Sequence, residues 1–244
     1  MKPWIQLGQS ALPDGGTLKL LQRGEAEFSI TLGANELMNS RLRGSEEALA
    51  TLVLARLADR PAPRLLIGGL GMGFTLRAAL AGLPPAGAVT VAELLPAVID
   101  WARGPLAPVF AGSLDDPRAE IRQADVSRVI DAVPAAWDAI LLDVDNGPDG
   151  LTMAANDRLY DHAGLGRARA ALRPGGVLAI WSAAPDRAFT RRLESAGFAV
   201  EEAKVRARPG AGARHVIWLA TPKPAGSRPA PATARPGTGG RPRR

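Results

Sequence analysis

Four continuously apolar runs punctuate the middle of the chain, and three of them end on glycine or an acid. Leu65-Leu66-Ile67 runs into Gly68-Gly69-Leu70-Gly71-Met72-Gly73, and Val89-Thr90-Val91-Ala92 ends at Glu93. Ala139-Ile140-Leu141-Leu142 ends at Asp143, and Val177-Leu178-Ala179-Ile180-Trp181 closes the set. A strand that is apolar on both faces needs cover on both faces, which is the condition of a parallel sheet flanked by helices. The runs alternate with helical segments at 74–83, 96–103, 127–133, 157–172 and 185–196, so the pattern predicts an α/β fold with a mainly parallel sheet. A short strand is expected at 121–123, and 200–205 with 215–220 reads as a closing antiparallel pair.

The N-terminal part reads differently. Leu18-Lys19-Leu20-Leu21-Gln22 and Glu27 to Leu32 flank the turn Arg23-Gly24-Glu25 and predict a β-hairpin. Residues 35–59 read as one helix, with Ser45-Glu46-Glu47 as a start signal and Leu49, Leu52, Val53 and Leu57 at helical spacing. Pro61 and Pro63 break the chain, so residues 1–60 form an N-terminal unit and 61–221 the α/β domain.

Residues 222–244 form a tail rich in Pro, Gly, Ala and Arg, with no large apolar side chain, and are expected to be disordered. The tail also carries the charge. Lys223, Arg228, Arg235, Arg241, Arg243 and Arg244 supply the whole net charge of +6, which leaves the body neutral. Weak attachment of the tail to nucleic acid or an anionic surface is the most that this charge supports. With 0 cysteines and 2 histidines, His162 and His215, in 244 residues, a disulfide framework, a thiolate metal site and a cysteine nucleophile are excluded, and no metal is expected. No secretory signal or membrane span is evident, and a cytoplasmic location is the expectation.

In open α/β sheets, ligands sit beyond the carboxyl ends of the strands. At the first strand end, Gly69, Gly71 and Gly73 permit a tight turn and close approach by a ligand, or serve a sharp strand-to-helix turn alone. Their spacing is not that of the dinucleotide fingerprint. Glu93 follows the last glycine at the distance where an acid accepts from a ribose diol, or it caps the helix beginning at Pro96. Asp125, in Gln123-Ala124-Asp125-Val126, accepts from an adenine amino group, or caps the next helix, or does both. Asp143 and Asp145 stand beyond the fourth strand. They suit binding and deprotonation of an alkylammonium, which is mostly protonated near neutrality, or they stabilise a turn rich in Asn, Gly and Pro.

Taken together, IGGLGMG, VAELLPAVIDWAR, QADV, WDAILLDVDNGP and LRPGGVLAIW resemble the spermidine synthase (polyamine aminopropyltransferase) branch of the class I S-adenosylmethionine-dependent methyltransferase fold. The resemblance spans roughly residues 17–221. It implies a Rossmann-like, mainly parallel seven-stranded sheet. It implies a donor site at Gly69, Gly71, Gly73, Glu93 and Asp125, with Asp143 as the proton acceptor. Asp145 and Tyr160 become acceptor-site residues, and Glu36 and Arg41 fall on the segment that forms part of the acceptor lid. Three departures stand out. Gly71 replaces the Asp of the family's G-G-G-D-G turn, Asp145 sits one position early, and Glu36 to Arg41 lacks the family's Tyr-His pair.

The resemblance implies aminopropyl transfer from decarboxylated S-adenosylmethionine to a diamine or polyamine by a homodimer. Gly71 removes a negative charge that would oppose a donor carboxylate. That favours an alternative, methyl transfer from intact S-adenosylmethionine to a small acceptor. A third reading is a non-catalytic relative that binds the nucleoside only.

Overall fold

The computed structural model describes residues 2–12, 15–144, 157–208 and 211–224. Asp145 and most of the basic tail lie outside the described residues.

Four antiparallel strands come first: β1 (Trp4–Ala11), β2 (Thr17–Arg23), β3 (Glu27–Leu32) and β4 (Asn35–Asn39), paired in chain order. Helix α1 (Gly44–Arg56) leads into the main sheet through β5 (Arg64–Gly68). There follow α2 (Phe74–Gly82), β6 (Ala88–Glu93), α3 (Pro96–Arg103), the single turn α4 (Ala107–Phe110), β7 (Ala119–Gln123) and α5 (Val126–Ala132). After β8 (Trp137–Leu142) come α6 (Asp157–Tyr160), α7 (His162–Ala171), β9 (Leu172–Ser182) and α8 (Arg187–Ser195). The hairpin β10 (Phe198–Arg208) and β11 (Ala211–Pro222) closes the chain.

The main sheet has the order β10-β11-β9-β8-β5-β6-β7. Strands β9, β8, β5, β6 and β7 are parallel, whereas β11 joins antiparallel to β9 and to β10. From β5 the chain builds outward through β6 and β7, then returns to place β8 on the other side of β5. The β5/β8 boundary is therefore the switch point of the sheet, where a crevice opens beyond the strand ends.

The expected α/β architecture is present, and the apolar runs explain its two-sided packing. In β8, Ala139 and Leu141 enter one core with Leu49 and Val53 of α1 and Leu76 and Ala79 of α2. Ile140 and Leu142 enter the other with Ile130 of α5, Leu165 of α7 and Leu193 of α8. Side chains alternate along a strand, so Asp143 has the parity of the α1 and α2 face.

Two local expectations differ from what forms. The N-terminal hairpin is the centre of a four-stranded sheet, and residues 35–39 pair with β3 instead of extending a helix. Asn39 accounts for the stop: its Oδ1 accepts the backbone N–H groups of Arg41 and Leu42, so the chain turns before α1 begins. The long helix at 157–172 is two helices parted at Asp161, whose carboxylate accepts from Gly164 N–H at 2.6 Å as the α7 N-cap. No described helix is long and apolar enough to cross a membrane.

The end of the sheet opposite the crevice is tied by Asp138, whose side chain is 2% exposed. Its carboxylate pairs with Arg60 and Arg173 and accepts the backbone N–H of Arg64 at 2.7 Å. One carboxylate thereby fixes the start of β5, the start of β8 and the β9 turn. Breaking such charged hydrogen bonds is costly, so Asp138→Ala is expected to lower the unfolding free energy by about 2–3 kcal/mol, read from urea midpoints. A loss below about 0.5 kcal/mol would contradict this role.

Candidate active site

The glycine turn after β5 forms because three residues have left-handed backbones: Gly69, Gly71 and Gly73, with φ of 87°, 52° and 77°. Two of them also lack room for a side chain. A Cβ on Gly69 would stand 2.8 Å from the Asp143 carbonyl oxygen, and one on Gly73 would lie 2.3 Å from the Phe110 ring. Gly71 is different, since its Cβ would meet only Met38 Sδ, at 3.7 Å. Gly73 is the residue before α2, so the turn delivers backbone N–H groups and the helix start to the crevice.

Glu93 ends β6 and is buried. Its Oε2 accepts Leu70 N–H at 2.9 Å and its Oε1 accepts Leu95 N–H at 2.8 Å. It therefore braces the glycine turn and the backbone that enters α3, whose N-cap is Leu95 and which has no side-chain cap, so the helix-capping reading of Glu93 does not hold. Burial raises its pKa above the ordinary range against the lowering effect of these backbone hydrogen bonds. Asp125 is the N-cap of α5, accepting Ser127 N–H at 2.8 Å, and it lines the same crevice. The capping reading of Asp125 thus holds, with its carboxylate still at the crevice wall.

Asp143 follows β8 directly. Its backbone N–H donates to the Gly68 carbonyl at 3.1 Å, and its Oδ2 accepts the Thr75 hydroxyl at 2.8 Å. Burial pushes its carboxyl up to about 6, with the Thr75 hydrogen bond pulling the other way. Gly69, Gly71, Glu93, Asp125 and Asp143 thus line one crevice. Gly73 stands behind it, as the residue that starts α2. Its roof comes from the N-terminal sheet: Leu18, Leu32, Leu37 and Met38. Among the described lining residues there are three carboxylates and no Lys, Arg or His.

The remaining expected residues lie around this crevice rather than in its wall. Tyr160 is buried, packs edge-on against Phe189 at 5.7 Å, and its hydroxyl stands 3.5 Å from the Val144 carbonyl oxygen. It buttresses the segment that leaves Asp143. Glu36 and Arg41 bond to each other at 3.1 Å on the N-terminal sheet. Glu36 also accepts from Ser29 and Asn39, and Arg41 pairs with Glu27. The neighbours Leu37 and Met38, at the irregularity where the β3–β4 register shifts, are the ones that line the crevice. Among the described residues no group of three or more His, Cys, Asp or Glu is placed to hold a metal.

Sequence reasoning did not single out Thr75 or the apolar roof. Thr75 follows Gly73 by two positions and was therefore within reach of the glycine motif. The roof had no local signal, because its residues come from a separate sheet folded over the crevice.

The fold is a mainly parallel seven-stranded α/β sheet with a line of carboxylates at its ligand edge and a separate antiparallel sheet over it. Two solved structures share the architecture. One is a spermidine synthase in complex with the transition-state analogue AdoDATO, with a TM-score of 0.70 at 19% identity over 88% of this chain and 72% of that one. The other is the spermidine synthase of Thermotoga maritima, with a TM-score of 0.71 at 20% identity and the same coverage of 88% and 72%. In sequence, a polyamine aminopropyltransferase of Mycobacterium tuberculosis (strain CDC 1551 / Oshkosh) is 35% identical over 159 residues, covering 62% of this chain and 29% of the relative. Polyamine aminopropyltransferase 2 of Pseudomonas aeruginosa is 33% identical over 144 residues, 56% of this chain and 39% of the relative. No family model matches the chain. The chain is spermidine synthase-like in fold and a sequence relative of the polyamine aminopropyltransferases, and it spans well under half the length of these curated relatives.

The raised Asp143 carboxyl has a consequence for stability. Between its ordinary value of 3.8 and about 6, the folded protein holds a proton that the unfolded chain has released. Stability therefore falls as pH rises through that window, by up to roughly 2–3 kcal/mol. Asp143→Asn keeps the shape and removes the titration. The variant is expected to match the wild type near pH 4 and to exceed it above pH 6, measured by denaturant unfolding across that range. A stability difference that does not change with pH would contradict the assignment.

Proposed function

We propose that the chain catalyses aminopropyl transfer from decarboxylated S-adenosylmethionine to a diamine or polyamine acceptor. The observation that carries this reading is the placement of Asp143, half-buried at the switch point and in the wall of the same crevice as Glu93 and Asp125. In this reading Glu93 takes the ribose diol, Asp125 the adenine amino group, and the roof residues Leu37 and Met38 exclude water from the reacting centre.

Asp143 receives the proton of the acceptor ammonium. The freed nitrogen lone pair then attacks the aminopropyl carbon bonded to sulfur, the C–S bond breaks, and its electrons remain on sulfur as a neutral thioether. The sulfonium is already a good leaving group, so positioning and proton removal are what the protein adds. A carboxyl held at about 6 suits that task, being ionised near neutrality yet basic enough to accept the proton.

The charge of the crevice selects the donor. With Glu93 and Asp125 engaged by the nucleoside, a carboxylated donor tail meets Asp143 and no cation among the described lining residues, whereas a tail that ends in an amine meets opposite charge. This supports the decarboxylated donor in spite of Gly71 and leaves methyl transfer without a supporting contact. Exposed Trp4, Ile5 and Leu7 on the edge strand β1 support assembly as a homodimer through the N-terminal sheet.

Purified protein supplied with decarboxylated donor and putrescine is expected to release methylthioadenosine. Asp143→Asn should cut turnover by about 100-fold or more while leaving affinity for methylthioadenosine within about threefold. In the wild type, kcat/KM should rise with pH through an apparent value near 6. Turnover of the Asn variant at the wild-type rate would overturn the role of Asp143.

A further inference from the structure

The two carboxylate oxygens of Asp143 stand in different surroundings. Oδ2 accepts the Thr75 hydroxyl at 2.8 Å. Oδ1 has no hydrogen bond among the described residues, and Asp143 lines the crevice whereas Thr75 does not. An oxygen that already holds a donor is the weaker base of the pair, so a proton arriving from the crevice goes to Oδ1.

Thr75 lies in the first turn of α2 and is 4% exposed, so its hydroxyl needs a partner inside the protein. Two acceptors are within reach: Asp143 Oδ2, and the main-chain carbonyl oxygen of Glu46 in α1 at 3.3 Å. A hydroxyl has one proton and rotates to suit its acceptor. Facing an ionised Asp143, the shorter, charge-assisted bond wins. Once the carboxyl is neutral that advantage is gone, and the hydroxyl is free to turn to the Glu46 carbonyl. The donor is thus satisfied in both protonation states of Asp143 without movement of the backbone. Branching at Cβ restricts the Thr75 side chain, so holding this position costs little rotamer freedom.

The other titratable groups around Asp143 are Glu46 and Glu47 of α1, Glu93 and Asp125 in the crevice wall, and His215 of β11, whose Nδ1 meets Ser45 Oγ at 2.9 Å. The Glu46 carboxyl is raised, first by desolvation and then by the charges of Asp143 and Glu47, but Thr75 meets Glu46 only through its main-chain oxygen. All of these groups are the same in every variant of residue 75, so a difference between variants reports the hydroxyl.

We propose that Thr75 is the positioning residue of the proton transfer: its hydroxyl holds Asp143 Oδ2 and so presents Oδ1 to the acceptor ammonium. This rests on the aminopropyl-transfer reading above. The N–H bond of the ammonium breaks, the bond from Oδ1 to hydrogen forms, and the nitrogen keeps the electron pair with which it attacks.

The test compares wild type, Thr75→Val, Thr75→Ala and Thr75→Ser in the full chain. Val keeps the shape and loses the hydroxyl, Ala repeats the loss with a smaller side chain, and Ser keeps the hydroxyl. A cooperative urea transition shows that a variant is folded. In the wild type the Asp143 contribution to stability is lost as pH rises through about 6. Without the hydroxyl the carboxylate loses its donor and the carboxyl titrates higher, so in Val and Ala the loss should continue to a pH higher by about 1. The midpoint of the kcat/KM profile with decarboxylated donor and putrescine should move up by a similar amount. At neutral pH kcat should fall by about tenfold or more, with a smaller change in KM. Thr75→Ser should restore the wild-type midpoints and most of kcat. Unshifted midpoints in the folded variants that lack the hydroxyl overturn the proposal, as does a Ser variant that behaves like Val. Should the wild type transfer nothing, the transfer reading fails, and the unfolding profiles still decide whether the Thr75 hydroxyl holds the Asp143 carboxylate.

Discussion

The approach of the Gly69 backbone to the Asp143 carbonyl oxygen is the contact on which the site depends. A Cβ at residue 69 would sit 2.8 Å from that oxygen, so the turn after β5 and the end of β8 can be neighbours only with glycine there. The close approach goes with the bond from Asp143 N–H to the Gly68 carbonyl. It brings the first turn of α2 near enough for Thr75 to hold the Asp143 carboxyl. Glu93 completes the arrangement from the other side by holding Leu70 N–H. The donor-side turn and the proton-accepting side chain are thus fixed by one small patch of backbone packing. Preorganisation of this kind is what keeps a reacting group in place without reorganisation at the moment of reaction.

The same patch sets up an opposition between stability and chemistry. A carboxyl pushed up to about 6 by burial is a liability to the folded state near neutrality, and a second carboxyl in its neighbourhood compounds it. The Asp138 cluster at the other end of the sheet shows the contrasting case, a buried carboxylate fully paired by Arg60 and Arg173. One sheet thus holds an acid paired with two arginines at one end, and at the other acids with hydrogen bonds but no cationic partner among the described lining residues.

Much of the main sheet was legible because each of its strands carries its own signal. The apolar runs at 65–67, 89–92, 139–142 and 177–181 are continuous, so each had to be covered on two faces, and the acid or glycine after three of them marks the ligand edge. Glu93, Asp125 and Asp143 could be placed in one crevice from that logic alone. The N-terminal sheet was legible only in part. Asn35 to Asn39 carries a helix-like composition, and its strand character comes from pairing with β3, a tertiary preference that local propensity does not encode. For the same reason Glu36, which lies on β4, and Arg41, in the turn after it, were expected on a helix, and it is Leu37 and Met38 that line the crevice.

The roof and the floor of the crevice divide the work. The floor supplies the carboxylates, and the apolar roof supplies a dry surface over them, where each charge counts for more than it would in water. The most direct test of this account is calorimetric titration with S-adenosylmethionine and with its decarboxylated form under identical conditions. Asp143 beside the donor tail, without a counter-cation among the described lining residues, predicts tighter binding of the decarboxylated donor, by about tenfold or more. Equal affinity, or preference for the carboxylated donor, would contradict the claim that the charge of this crevice selects what it transfers.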